Sequence, residues 1–362
     1  MVGRAFLHLK PFPQLIEIKK LKIMNSNKKT QRVAWISILQ AITITAVLIG
    51  HVDLAGDMNP DYPTACWIDR LQVFQMPVFF FISGFLYVRS SLFHKPYWGG
   101  VIPSKLKRLG IPFLFMSIMM WAFKLCLPSS MLEHPVSLSW DYAFNVLFAP
   151  WNGPVRHLWF VETLFLYFLL MPLYKWTLNK KWSTAFWIAV LFGLTYHPYT
   201  LLGIGSNSDY AKILCLEKDC TFWLFFYLGM VVQKYDLIKY AQNGWMLLFS
   251  CLAYYYLCFY PIGGRNLLGI TGIIYISSLS YLLSQKLPSL LSSFSSYTYQ
   301  IYLLHMLPIM AVKFIYHRDL LDDTIWFPMC WVISLLCAIY IPTLVALIAE
   351  KCPKQIRMLI GL

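Results

Sequence analysis

Apolar residues run through this chain in blocks of about twenty, and polar residues fall mainly in the segments between those blocks. An α-helix of that length crosses the hydrocarbon core of a bilayer. Ten windows predict such helices, at approximately 33–52, 73–91, 109–127, 157–174, 184–202, 221–233, 244–261, 267–284, 297–315 and 326–348. The predicted fold class is all-α: a polytopic membrane protein with about ten transmembrane helices around a polar cavity.

Polar residues recur at helical spacing inside two of these windows, which a helix that faces only lipid does not require. Gln40 and His51 lie eleven residues apart in the first window, close to three turns, so they share one face. Gln75 and Ser83 lie on one side of the second window. A polar cavity explains this second stripe, and so does helix-helix contact through small and polar residues.

A carboxylate and a histidine lie inside two later windows. Glu162 lies in the fourth, where a charge costs roughly 2.5 to 3.5 kcal/mol, so it requires a partner or a cavity. An ion pair with Lys124 or Arg156 meets this requirement, and so does a role in orienting His51. His305 lies in the ninth window, and both a buried structural role and a role in a site are open for it.

Composition supports a membrane protein, with 59% hydrophobic residues, 13% charged residues and a mean hydropathy of +0.58. The net charge is +14, but the basic residues are spread between the apolar windows, so no nucleic acid partner is expected. With the N-terminus inside, the inner segments hold 22 Lys and Arg residues and the outer loops hold 6. The positive-inside rule then predicts two cytoplasmic termini and a multi-pass protein of the plasma (inner) membrane.

The charge distribution also divides the chain into three parts. Residues 1–32 are a basic cytoplasmic segment, in which Met24 is a possible alternative start. Residues 33–348 form the transmembrane domain, and residues 349–362 form a short cytoplasmic tail.

Three basic residues, Lys105, Lys107 and Arg108, stand directly before the third window. Such a run is typical of an orientation signal in contact with membrane lipid headgroups, and it also suits the phosphates of a cytoplasmic donor. The sequence contains no HExxH, CxxC, Walker A or Rossmann glycine pattern. We therefore expect no metal site and no bound cofactor.

His51 is the first candidate for catalysis. An imidazole exchanges protons near neutral pH, which makes histidine the usual general base of acyl transfer. Asp53 follows at once and is a candidate to orient the ring, as is Glu162.

Four stretches together resemble the acyltransferase-3 family of integral membrane acyltransferases. They are WISILQAITITAVLIGH at 35–51, FFFISGFL at 79–86 followed by KLKRLGIP at 105–112, HLWFVETLFLYFLL at 157–170, and SYTYQIYLLH at 296–305. The resemblance implies that His51 matches the family's essential histidine and that the HLWF stretch carries site residues. It also implies acetyl-coenzyme A as the donor and a hydroxyl of an extracytoplasmic glycan or lipid-linked sugar as the acceptor.

The predicted O-acyltransferase site has three parts. The catalytic residues are His51, Glu162 and Asp53; the oxyanion or acceptor side is Arg156, His157 and Trp159; the donor side is Gln40, Ser83, Lys105, Lys107, Arg108, Tyr302 and His305. Gln40 departs from the family, which commonly has Arg or Lys eleven residues before its histidine. An amide donates a hydrogen bond but neutralises no phosphate.

Two other function classes fit the same pattern. A transporter or flippase of a lipid-linked sugar or small anion would also use many helices and intramembrane ionisable groups. The replacement at Gln40 suggests a non-catalytic family member as a further alternative.

Overall fold

The fold is taken from a computed structural model that describes residues 34–52, 73–126, 136–150, 155–196, 215–260, 262, 264–287, 295–317 and 323–362. These residues are mostly helical and include no strand, which confirms the predicted all-α class. The proposed N-terminal segment 1–32, with Met24, and the outer loop that carries Asp53 lie outside the described residues.

Helices occupy every one of the ten predicted windows. In chain order they are α1 Ala34–His51, α2 Gln75–Arg89, α3 Tyr97–Leu125, α4 Trp140–Phe148, α5 Trp159–Leu169, α6 Met171–Thr177, α7 Lys181–Tyr196, α8 Leu216–Lys234, α9 Gly244–Phe259, α10 Gly264–Lys286, α11 Thr298–Leu304, α12 Met306–His317, α13 Asp323–Glu350 and α14 Lys354–Leu359.

The number of membrane crossings stays a prediction. Among the described residues, four segments are long and apolar enough to span a bilayer, namely α1, α3, α10 and the part of α13 from Pro328 to Glu350. Two bent pairs, α5 with α6 and α11 with α12, raise that number to six if each pair is one span. Length and composition thus support a membrane protein without establishing ten spans.

The fourth and ninth windows, predicted as continuous helices, are each broken. α5 and α6 meet at an angle of 58°, and α11 and α12 meet at 44°. Proline lies just after each break, at Pro172 and Pro308. A proline removes the hydrogen bond to the carbonyl four residues earlier, which explains both bends. The second break places His305 at the junction between two helices.

A close contact between α2 and α8 forms the centre of the bundle. A Cβ atom at Gly84 would overlap the Phe226 carbonyl, and one at Gly229 would overlap the Phe81 carbonyl. Glycine at both positions lets the two backbones approach closely, as small residues do in membrane helix pairs. Beside this crossing, the buried Phe80 ring lies 4.7 Å from that of Phe160.

Three features were not predicted. α8 begins at Leu216, within the segment assigned to an outer loop, so it is longer than its predicted window. α4 lies in the predicted 128–156 loop, where Ser139 accepts a hydrogen bond from the Tyr142 backbone and begins the helix. The C-terminal tail contains α14, and Gln300 donates to the carbonyl of Ile360 just after it.

Candidate active site

The C-terminal end of α1 places His51 beside a cavity of about 340 Å³. The polar residues that line it are His51, Gln75 at the start of α2, Thr221 near the start of α8, and Arg265 at the start of α10. Apolar residues of α1, α2 and α8 complete the described lining. The His51 side chain is exposed, so its ring is accessible from this cavity.

Three histidines from three parts of the chain meet at this point. The ring centres of His51 and His305 lie 5.1 Å apart, and those of His305 and His157 lie 5.5 Å apart. His157 and His305 are buried, whereas His51 is exposed. His305 therefore lies between a histidine that faces the cavity and one inside the protein.

Backbone carbonyls orient the two buried rings. The Nδ1 atom of His305 lies 2.7 Å from the Tyr302 carbonyl oxygen, and a carbonyl can only accept, so Nδ1 carries a proton. His157 likewise donates to the Leu303 carbonyl. Within the described residues, the Nε2 atoms of both rings have no hydrogen-bond partner. In neutral His305, Nε2 therefore keeps a lone pair, on a ring whose centre lies 5.1 Å from that of His51.

Tyr302 connects this cluster to the turn before α5. Its hydroxyl donates to the backbone carbonyl of His157, and its ring centre lies 5.9 Å from that of His305. Tyr302 thus holds the backbone at His157, and its own helix, α11, ends directly before His305. This position supports the framework of the site, and its predicted contact with a donor stays a prediction.

Two lysines act on the cluster electrostatically. Lys313 on α12 acts on His51, and Lys124 on α3 acts on His157. The cluster therefore has a positive charge near it from each of two further helices.

Glu162 lies in a different group of side chains. It is buried in α5, close to the Cys215 thiol and to the buried Asp219 carboxyl of α8, so that two negative charges there would repel each other. Tyr167 donates to the backbone carbonyl of Asp219 and joins α5 to α8. No described interaction links Glu162 to His51, and its role as the orienting carboxylate stays a prediction. The described residues instead place His305 against the His51 ring.

The predicted acceptor-side residues separate in the structure. Arg156 is exposed in a short turn beside Tyr142 of α4; burial raises the pKa of Tyr142, and the Arg156 charge acts in the opposite direction. Trp159 is buried against the rings of Phe80 and Phe222. Of the three, His157 has its ring 5.5 Å from that of His305.

Two predicted donor residues lie along α1 and α2 away from the cavity lining. Gln40 is half-buried in α1, about 16 Å from His51 along the helix axis. Ser83 donates its hydroxyl to the Phe79 carbonyl one turn earlier, at 2.9 Å. That bond is typical of a serine within a helix and supports the structural interpretation of its polar stripe.

The basic run near the start of α3 lies beside the end of α2 that is farther from the cavity. The Lys105 ammonium is 3.5 Å from the centre of the Phe168 ring and 5.6 Å from that of Tyr87. Lys107 and Arg108 are exposed beside it. Since Tyr87 follows Gln75 by twelve residues on one helix, this basic end lies about 18 Å from the cavity end.

The sequence did not single out every residue of the site. Thr221, Arg265 and Asp219 are absent from the predicted set, although the first two line the cavity. Arg265 carried a recognisable signal, because it is a cation at the start of an apolar window. Asp219 carried none, since its segment was assigned to a loop. Among the described residues, no group of three His, Cys, Asp or Glu side chains could hold a metal ion.

The fold and site define an all-α membrane protein with a histidine beside a cavity between helices. Residues 33–347 match the model of the acyltransferase-3 family that is described as "Acyltransferase domain". The match covers nearly the whole chain, and the chain therefore belongs to this family of membrane acyltransferases. No curated protein and no solved structure matches the chain.

Proposed function

We propose that this membrane acyltransferase transfers an acetyl group from cytoplasmic acetyl-coenzyme A to a hydroxyl of an extracytoplasmic glycan or lipid-linked sugar. The observation that carries the proposal is the position of His51, which lines an accessible cavity while its ring lies against His305. Family membership supports the acyl transfer, and the cavity provides room beside the proposed base.

In the proposed reaction, His51 removes the proton of the acceptor hydroxyl as the oxygen attacks the thioester carbonyl carbon. The carbon-sulfur bond then breaks, and the leaving thiolate takes the proton from the His51 imidazolium. The products are an O-acetylated acceptor and free coenzyme A. A hydrogen-bond donor beside the thioester carbonyl would stabilise the oxyanion.

His305 is the proposed positioning residue for His51. Two imidazoles joined by a hydrogen bond have ring centres about 5 Å apart, and the observed separation is 5.1 Å. The Nδ1 bond to Tyr302 leaves Nε2 of His305 as the acceptor, so it could accept a hydrogen bond from a ring N–H of His51. His305 would thereby hold one tautomer of the base, the role that a carboxylate has in other catalytic histidine pairs.

The basic end supports a cytoplasmic route for the donor. Lys105, Lys107 and Arg108 lie there, about 18 Å along α2 from the cavity end, and an extended pantetheine arm is suited to such a separation. In this proposal the phosphates stay at the basic end while the thioester reaches His51. Both termini would then lie in the cytoplasm of the plasma membrane, as the positive-inside rule predicts.

Isolated membranes with labelled acetyl-coenzyme A test the reaction. The membranes of expressing cells contain the chain together with their own glycan and lipid acceptors. We expect release of free thiol and transfer of label to the glycan or lipid fraction, both dependent on His51. A transporter or flippase would move its substrate without releasing thiol, and a non-catalytic member would bind the donor without turnover.

A further inference from the structure

We propose that the acceptor carries an anionic group, a carboxylate or a phosphate, which Arg265 binds at the mouth of the His51 cavity. This inference rests on the proposed function and defines the chemical class of its second substrate. The starting observation is that Arg265 and His51 line the same cavity although they lie on different helices, α10 and α1.

The charge of the cavity lining supports an anionic ligand. Arg265 contributes a permanent positive charge, and no Asp or Glu occurs among the described lining residues. The Arg265 side chain is exposed, so its guanidinium is accessible to a ligand in the cavity. A guanidinium binds carboxylate and phosphate oxygens in pairs, which makes arginine well suited to orient such a group.

A second polar group faces the ligand from α2. The Oε1 atom of Gln75 is buried and has no hydrogen-bond partner within the described part of the chain. Gln75 lines the same cavity, and a turn of its amide toward the cavity would let a ligand donor satisfy this oxygen, which is costly to leave unpaired. A sugar hydroxyl is such a donor, so Gln75 and Arg265 together suit an acidic or phosphorylated sugar.

The positions of these three residues would also orient the acceptor sugar in the cavity. Arg265, Gln75 and His51 come from the start of α10, the start of α2 and the end of α1, and these three helix ends meet at the cavity end. An anion held by Arg265 would restrict which hydroxyl of the sugar can approach the His51 ring. Such positioning converts a loose encounter into a productive one and confers regioselectivity.

Mass spectrometry of surface glycans and lipids tests the inference on the native acceptors. Cells with and without the gene are compared, and the net mass gained when an acetyl group replaces a hydrogen identifies the acetylated species. We expect every such species to carry a carboxylate or a phosphate, and its fragments distinguish the two. Acetylated species that are all neutral would overturn the inference and leave the proposed function intact. The absence of any His51-dependent species would overturn both.

Variants of Arg265 give a second readout. We expect Arg265→Gln to lower acetylation by about 10- to 100-fold, the range for a lost charge-assisted hydrogen bond, and Arg265→Lys to retain part of the activity. Lys286→Gln is the matched control, because it removes an exposed positive charge at the far end of the same helix. Membrane abundance is measured for each variant. Equal acetylation by Arg265→Gln and Lys286→Gln at normal abundance would show that Arg265 is only an interfacial anchor.

A pair of defined sugars keeps the test independent of the native acceptor and of lipid headgroups. Protein in phosphatidylcholine nanodiscs is given acetyl-coenzyme A with methyl glucuronide or methyl glucoside, which differ in one carboxylate. Each sugar competes with added membrane extract for the labelled acetyl group. We expect the glucuronide to compete more strongly than the glucoside, by about tenfold or more. We expect this preference to disappear in Arg265→Gln. Equal effects of the two sugars, or competition only by added anionic phospholipid, would contradict an acceptor carboxylate.

Discussion

The two ends of α2 carry polar groups in different surroundings. At the cavity end, three histidines from the α1 end, the turn before α5 and the α11–α12 junction are in contact, and two of them are buried. At the basic end, Lys107 and Arg108 are exposed and Lys105 lies on an aromatic ring. Groups that meet inside the bundle are oriented for chemistry, whereas exposed cations suit binding of a flexible charged ligand.

The largest loss of activity is expected from a substitution of His51, at the cavity end. We expect His51→Ala to lower label transfer and thiol release by about 10²- to 10⁴-fold, because the proposed general base is lost. The assay uses isolated membranes, and membrane abundance of the variant serves as the control. Transfer by His51→Ala at the wild-type rate, at equal abundance, would exclude His51 as the base.

A substitution at the basic end should affect binding and not the chemical step. We expect Lys105→Gln to raise the KM for acetyl-coenzyme A by about 10- to 100-fold with little change in kcat, since one phosphate contact is lost. The same variant measured with a thioester that lacks the nucleotide phosphates should show no such increase. A fall in kcat with an unchanged KM would place Lys105 in the chemical step and remove the distinction between the two ends.

A substitution of His305 tests whether its contact with His51 affects the rate of acyl transfer. We expect His305→Phe, which keeps a ring but removes both nitrogens, to lower kcat by about tenfold or more while the KM for acetyl-coenzyme A stays the same. A merely structural role predicts lower membrane abundance with normal turnover per molecule. Normal kcat in His305→Phe would exclude its action through His51.

The smallest effect is expected at Ser83, midway between the two ends. Its hydroxyl already donates to the Phe79 carbonyl, so we expect Ser83→Ala to change kcat and KM by less than about threefold. The steady-state assay used for Lys105→Gln measures both constants. A tenfold rise in the KM for acetyl-coenzyme A would restore Ser83 to the donor site.

Regular features of the fold could be predicted from the sequence because they depend on local pattern. Apolar windows locate helices, and His51 at the end of one such window was recognisable as a polar residue in a costly place. The bends at Pro172 and Pro308 also have a local cause, although the windows were predicted as continuous helices. The start of α8 was missed because its first turn contains charged residues, which resemble a loop in hydropathy.

The candidate site was only partly predictable. His51, His157 and His305 were each singled out, and Asp53 and Glu162 were both candidates to orient His51, because carboxylates commonly orient catalytic histidines. In the structure the His51 ring lies beside that of His305, while Glu162 lies close to Cys215 and to Asp219 at the start of α8. Nothing in the local pattern of any one helix distinguishes these two pairings.

The sequence by itself determined that this chain is a helical membrane protein and that its first helix ends in a histidine. Both features follow from transfer free energies of residues within single segments. Only the tertiary structure decided that His51 meets His305 and shares a cavity with Arg265, residues more than 200 positions away. Such meetings depend on how glycine contacts and proline bends orient whole helices, which is a property of pairs of segments and not of any one of them.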